Sequence, residues 1–146
     1  MKGDLVPDLD HIAHYCGGAN VYEDGTIDGV AFRLRRQTDG PEQYLSVNWL
    51  EHLHPADRER QLANLRLIFS SKGWTLGASS RFAVHQVRAL IDYVQSNSPD
   101  HRLLSVRHEP LANDASHCGI YGYELEDDIV ADLIAEAVED TYPGRG

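Results

Sequence analysis

Apolar residues in this chain follow two different periods, and the two are interleaved without a repeating order. Val30, Phe32 and Leu34 alternate with Arg33 and Arg35, the period of two that a half-buried strand requires. Leu62, Leu65, Ile68 and Phe69 recur at three and four, the stripe of an amphipathic helix, and so do Ile129, Val130, Leu133, Ile134, Ala137 and Val138. A doubly wound parallel sheet needs strands alternating regularly with helices of about 12 residues, and no such alternation is present. The pattern predicts an α+β fold: a single domain over residues 1–146, with a mostly antiparallel sheet packed against three or four helices.

Local punctuation places the elements. Asp8 or Asp10 can cap a short helix carrying Leu9, Ile12, Ala13 and Cys16, ended by Gly17-Gly18, and on it His11 and His14 would share a face. Residues 30 to 35 read as a strand that turns at Thr38-Asp39-Gly40-Pro41 and returns through Tyr44–Val47 as a hairpin. A brief helical turn around Trp49, Leu50 and Leu53 precedes His54-Pro55. Pro55 opens a helix that runs to about Ser71. Residues 81 to 86 fit either a strand or a helix, and a helix continues through Val94. Leu103–Arg107 reads as a strand ending at His108, followed by a polar loop over 109 to 119. The last helix begins at Asp127 or Asp128 and continues to the stop at Pro143-Gly144.

With 146 residues, 42% of them apolar and 25% charged, the chain can bury a core without a disulfide or metal. No apolar run approaches the roughly 18 residues of a membrane span, and the first residues lack the apolar stretch of a signal peptide. The expectation is a soluble, cytoplasmic protein of bacterial type, with no membrane partner.

The formal charge of −10 is unevenly placed. Residues 1 to 28 set Lys2 against six carboxylates, and residues 124 to 146 set Arg145 against eight. The centre is slightly basic. Nonspecific binding of nucleic acid is therefore disfavoured, while a local phosphate site in the centre is permitted.

Several signatures are missing, among them a phosphate-binding glycine loop, Gly-x-Gly-x-x-Gly, His-Glu-x-x-His, Cys-x-x-Cys and Gly-x-Ser-x-Gly. Two candidate chemistries remain. In the stretch from His108 to Cys118, His108, Asp114 and His117 can supply a base, a carboxylate orienting an imidazole and an acid. The competing reading is a polar loop in which Asp114 and Ser116 satisfy their own backbone. The second candidate is zinc or another divalent metal held by His11, His14, Cys16 and Cys118, although adjacent residues such as His117 and Cys118 point apart on a strand. Without a metal, both thiols read as packed and unreactive, and no cofactor is required.

Two charged surfaces complete the reading. Arg33, Arg35 and Arg36 form a basic edge, and Asp132, Glu136 and Asp140 form the acidic face of the last helix. The leading expectation is an accessory or protein-interaction domain that meets a protein partner through these surfaces. The alternative is a His/Asp hydrolase, with or without an assisting metal, acting on a phosphate-containing or similar small substrate. It requires His14 and His117 to meet in one pocket.

Overall fold

The computed structural model describes residues 1–145 and has an antiparallel six-stranded sheet packed against helices on both faces. Strand β1 (His11–Cys16) is followed by 3-10 turns at Gly18–Asn20 and Gly29–Phe32. A two-residue hairpin, β2 (Arg36–Gln37) with β3 (Gly40–Pro41), leads to β4 (Leu45–Trp49), α1 (Leu50–Leu53) and α2 (Arg58–Ser71). Then come β5 (Arg81–Gln86), α3 (Val87–Asn97), β6 (Ser105–His108), β7 (His117–Tyr121), α4 (Asp128–Glu136) and β8 (Asp140–Pro143). The order across the main sheet is β6-β7-β4-β1-β5-β8.

The expected α+β architecture is present, and four of its elements differ from the sequence reading. Residues 11 to 16 form a central strand instead of a helix. Ile12 and Cys16 face one layer while Ala13 and Tyr15 face the other, so apolar residues occur on both faces and mimic a helical stripe. The same burial explains the ambiguity at β5, where Phe82, Ala83, Val84 and His85 are all buried. Residues 30 to 35 do not join a ladder. The Asp28 carboxylate accepts from the Val30 amide at 3.0 Å and starts a 3-10 turn, from which Phe32 and Leu34 plug into the core and Ala31 packs partly against it.

The polar loop is shorter than expected, because β7 begins at His117 and sends Cys118 and Ile120 into the core. The last helix stops at Glu136. The chain then reverses, with the Glu139 amide bonding the Val84 carbonyl, and β8 adds an edge strand to β5. Pro143 is tolerated there because an edge residue has no obligatory ladder donor.

Register divides the sheet into two chemically different faces. Ile12, Val47, Ala83, Val106, Cys118 and Ile120 face α3, α4 and the 3-10 segment. On the opposite face Ala13, Phe82 and Val84 pack under α1 and α2 through Leu50, Leu62, Leu65 and Phe69. Each buried Val, Leu, Ile or Phe among them contributes roughly 1.5–3 kcal/mol relative to exposure. The α1–α2 cover lies over β1 and β5. The β4-β7-β6 end of that face carries Ser46, Asn48, His117, Gly119, Tyr121 and Arg107 instead.

Candidate functional site

The sequence candidates His108, Asp114 and His117 lie at the end of β6, in the connection and at the start of β7, with contacts different from those expected. Asp114 is buried, and its carboxylate takes hydrogen bonds from side chains other than histidine. Asn48 Nδ2 bonds Asp114 Oδ2 at 2.8 Å, Lys72 Nζ bonds the same oxygen at 3.0 Å, and Ser116 Oγ bonds Oδ1 at 2.8 Å. Burial pushes the Asp114 carboxyl up, but these bonds outweigh it and hold the group below its usual range. Asp114 thus pins the β6–β7 connection to β4 and to the end of α2, and does not orient an imidazole.

The two histidines point to opposite faces of the sheet, since His108 pairs with Cys118 and His117 with Asn48. His108 Nε2 lies 2.7 Å from the Ala115 carbonyl, and its ring meets Trp49 edge-on with centroids 5.3 Å apart. On the other face, His117 Nδ1 lies 2.8 Å from the Glu109 carbonyl and Nε2 lies 3.1 Å from Ser46 Oγ. The neutral tautomer that satisfies both contacts carries its proton on Nδ1 and accepts from the serine hydroxyl.

The proposed metal ligands do not assemble. On a strand, His11 and His14 lie on opposite faces, which corrects the shared helical face expected from their spacing. His11 Nδ1 pairs with Glu51 Oε2 at 2.7 Å. His14 is wedged between two carbonyls, Ser46 O at 2.8 Å from Nδ1 and Ala31 O at 2.7 Å from Nε2. Burial pulls its basicity below the ordinary value despite those two contacts. The Cys16 and Cys118 thiols face the core, donate to the His14 and Ser116 carbonyls, and are pushed up to about 12 by burial. Among the described residues no three His, Cys, Asp or Glu side chains are grouped as metal ligands. His14 and His117 share no pocket either. Both touch Ser46, His14 at its carbonyl and His117 at its hydroxyl, from opposite faces of the sheet.

The charged surfaces divide differently from one another. Arg33 Nε lies 3.3 Å from Asp128 and Arg35 Nε 3.4 Å from Glu42, so two of the three arginines are already paired within the chain. Arg36 is exposed on β2. The carboxylates, by contrast, converge. The 22–29 loop and the α4–β8 segment form the two walls of a cleft of about 900 Å³, which brings Glu23, Asp24 and Asp28 opposite Asp132, Glu136 and Asp140. Gly29 makes this approach possible, because a Cβ there would lie 2.0 Å from Asp132 Oδ1.

Local bonds keep part of this charge in place. Asp28 accepts from the Val30 amide and the Tyr22 hydroxyl, and Asp24 accepts from the hydroxyl and amide of Thr26; both carboxyls are held below their usual range. Arg81, the cation lining the cleft, spends its guanidinium on the hydroxyl and carbonyl of Thr141. Sequence reasoning counted the N-terminal acids but did not place them in a site. Their run of turn residues gave no sign of which surface they would face. It also missed Ser46, Asn48, Lys72 and Glu109, whose partners lie 42 to 71 positions away except for the local contact of Glu109 with His117.

No protein-family model matches the chain, and no curated protein or solved structure matches it either.

Proposed function

We propose that the chain is a protein-interaction module whose acidic cleft holds a Lys- and Arg-rich segment of a partner protein. The observation that carries this reading is the convergence of acids from the two ends of the sequence on one concavity. A cleft lined by one sign of charge concentrates field lines and steers an oppositely charged partner toward it. Its volume of about 900 Å³ is enough for several side chains. Asp132 and Asp140 stand in its walls outside the ion pairs of the described residues, so their charge is available to a ligand. The arginine edge contributes less, since Arg33 and Arg35 are engaged with Asp128 and Glu42.

Fluorescence anisotropy with a labelled Arg/Lys-rich peptide tests the reading. Binding is expected to weaken with salt. The triple substitution Asp132→Asn, Glu136→Gln, Asp140→Asn is expected to reduce affinity by roughly tenfold or more. A control that removes the same charge outside the cleft, Asp39→Asn, Glu59→Gln, Glu126→Gln, separates the cleft from net charge. Equal affinity of the two triple variants would reject the cleft as the binding surface.

A further inference from the structure

The uncovered end of the sheet carries a second arrangement, separate from the acidic cleft. Ser46 is exposed on β4, and its Oγ lies 3.1 Å from Nε2 of the buried His117. His117 is oriented from behind by the Glu109 carbonyl at 2.8 Å from Nδ1. The Glu109 carboxylate in turn accepts from the Tyr121 hydroxyl. A hydroxyl, an imidazole with a free accepting nitrogen and a group fixing its tautomer are the parts of an activated serine nucleophile.

A donor for developing charge stands beside the hydroxyl. The β1–β4 ladder has its pairs at Ile12↔Trp49 and Ala13↔Asn48, after which the strands part. The Ser46 carbonyl faces the gap and is taken by the His14 ring. In an antiparallel strand a residue's amide and carbonyl lie on the same edge, so the Ser46 amide faces that gap as well. Tyr44 lies over Gly119, where an added Cβ would meet its ring at 2.4 Å. Its ring packs between His117 and Tyr121, with centroids 5.8 and 5.1 Å away. The tyrosines form an aromatic wall beside Ser46.

The geometry points to Ser46 as a nucleophile toward small acyl esters with an aromatic or short apolar group, with His117 as its base. Ser46 Oγ attacks the carbonyl carbon as its proton passes to His117 Nε2, and the carbonyl electron pair becomes an oxyanion facing the Ser46 amide. Collapse breaks the bond to the leaving alcohol, which takes the proton from His117. Water then attacks the acyl-serine, with His117 removing its proton and returning it to Ser46 as the carboxylic acid departs.

The probes are p-nitrophenyl acetate and an alkyl fluorophosphonate, read by release of p-nitrophenol and by intact and peptide mass. Wild-type protein is expected to take one fluorophosphonate on Ser46 and to release nitrophenol. The exposed position makes Ser46→Ala compatible with folding, and it should remove the adduct and lower turnover by roughly 100-fold. His117→Gln, which keeps a polar partner for Ser46 without a base, should lower both to a similar extent. Ser105→Ala, on the same face, should leave both unchanged. A wild-type protein without an adduct, or a Ser46→Ala protein that reacts as wild type does, would show the pair to be a structural hydrogen bond and overturn the assignment.

Discussion

Lys72 Nζ lies 3.0 Å from Asp114 Oδ2, joining the end of α2 to a carboxylate with no exposed side-chain surface. Asn48 and Ser116 hold the same carboxylate, so one buried charge ties a helix, a strand and a loop together. Removing Lys72 leaves that charge with hydrogen bonds but no counter-ion. Lys72→Met is expected to cost about 1–3 kcal/mol in urea unfolding. The loss should shrink when Asp114→Asn is added, since the neutral amide no longer needs a cation; additive losses in the double-mutant cycle would refute the coupling.

His85 predicts a pH dependence of stability. Burial against Phe32 and α4 pulls its basicity from 6.5 down to about 4, while its Nε2 donates to the Ile134 carbonyl at 2.7 Å. Above pH 6.5 the ring is neutral whether the chain is folded or unfolded. Between 6.5 and about 4 the unfolded chain binds a proton that the folded one refuses, so stability falls as the pH falls through that window. The full effect is about 3 kcal/mol. His85→Gln keeps a donor for Ile134 without a titrating group, and unfolding followed from neutral to mildly acid pH should show a flatter profile.

Gly29 sets how closely the 3-10 segment meets α4. An added Cβ would lie 2.0 Å from Asp132 Oδ1 and 3.1 Å from its Cα, so a rotation of the Asp132 side chain cannot by itself relieve the contact. Gly29→Ala should lower stability by about 1–3 kcal/mol. Gly17→Ala, where a Cβ meets nothing within 4 Å, is the matched control for thermal unfolding. Equal melting temperatures for the two variants would contradict the close approach.

Cys16 and Cys118 are both buried, and burial pushes each thiol up to about 12. Neither forms thiolate at neutral pH while the chain is folded. Reaction with a disulfide reagent should therefore proceed no faster than unfolding, and both thiols should react promptly in denaturant. Fast labelling of either thiol in the folded protein would count against their packed positions.

The mixture of periods made the α+β class legible, and the strongest one-faced patterns were read correctly. Residues 62 to 69 lie on a helix that stops before Gly73, although the Asp57 side chain caps it and Pro55 lies outside it, and Val87–Asn97 continues a helix as its spacing implied. Most of the errors fall where burial is two-sided or the chain reverses late, whereas residues 30 to 35 lose their strand to the 3-10 turn capped by Asp28. Ile12, Ala13 and Cys16 imitate a helical stripe because both faces of β1 are covered. Ala137 and Val138 extend the apolar pattern of α4 although the helix has already ended, since both still pack against the same core.

The sequence by itself determined which chemical groups were available and how they were distributed: acidic ends, a slightly basic centre, and a polar stretch from His108 to Cys118. Tertiary structure decided which of them meet. His108 and His117 were separated by the alternation of a sheet, Asp114 was given to Lys72, and His117 was placed beside Ser46 on a neighbouring strand. The reason is that side-chain direction follows strand register, and register is set by burying one whole face, which no local stretch specifies. The same packing set Glu23, Asp24 and Asp28 against Asp132, Glu136 and Asp140 across Gly29, turning part of the net charge into a cleft.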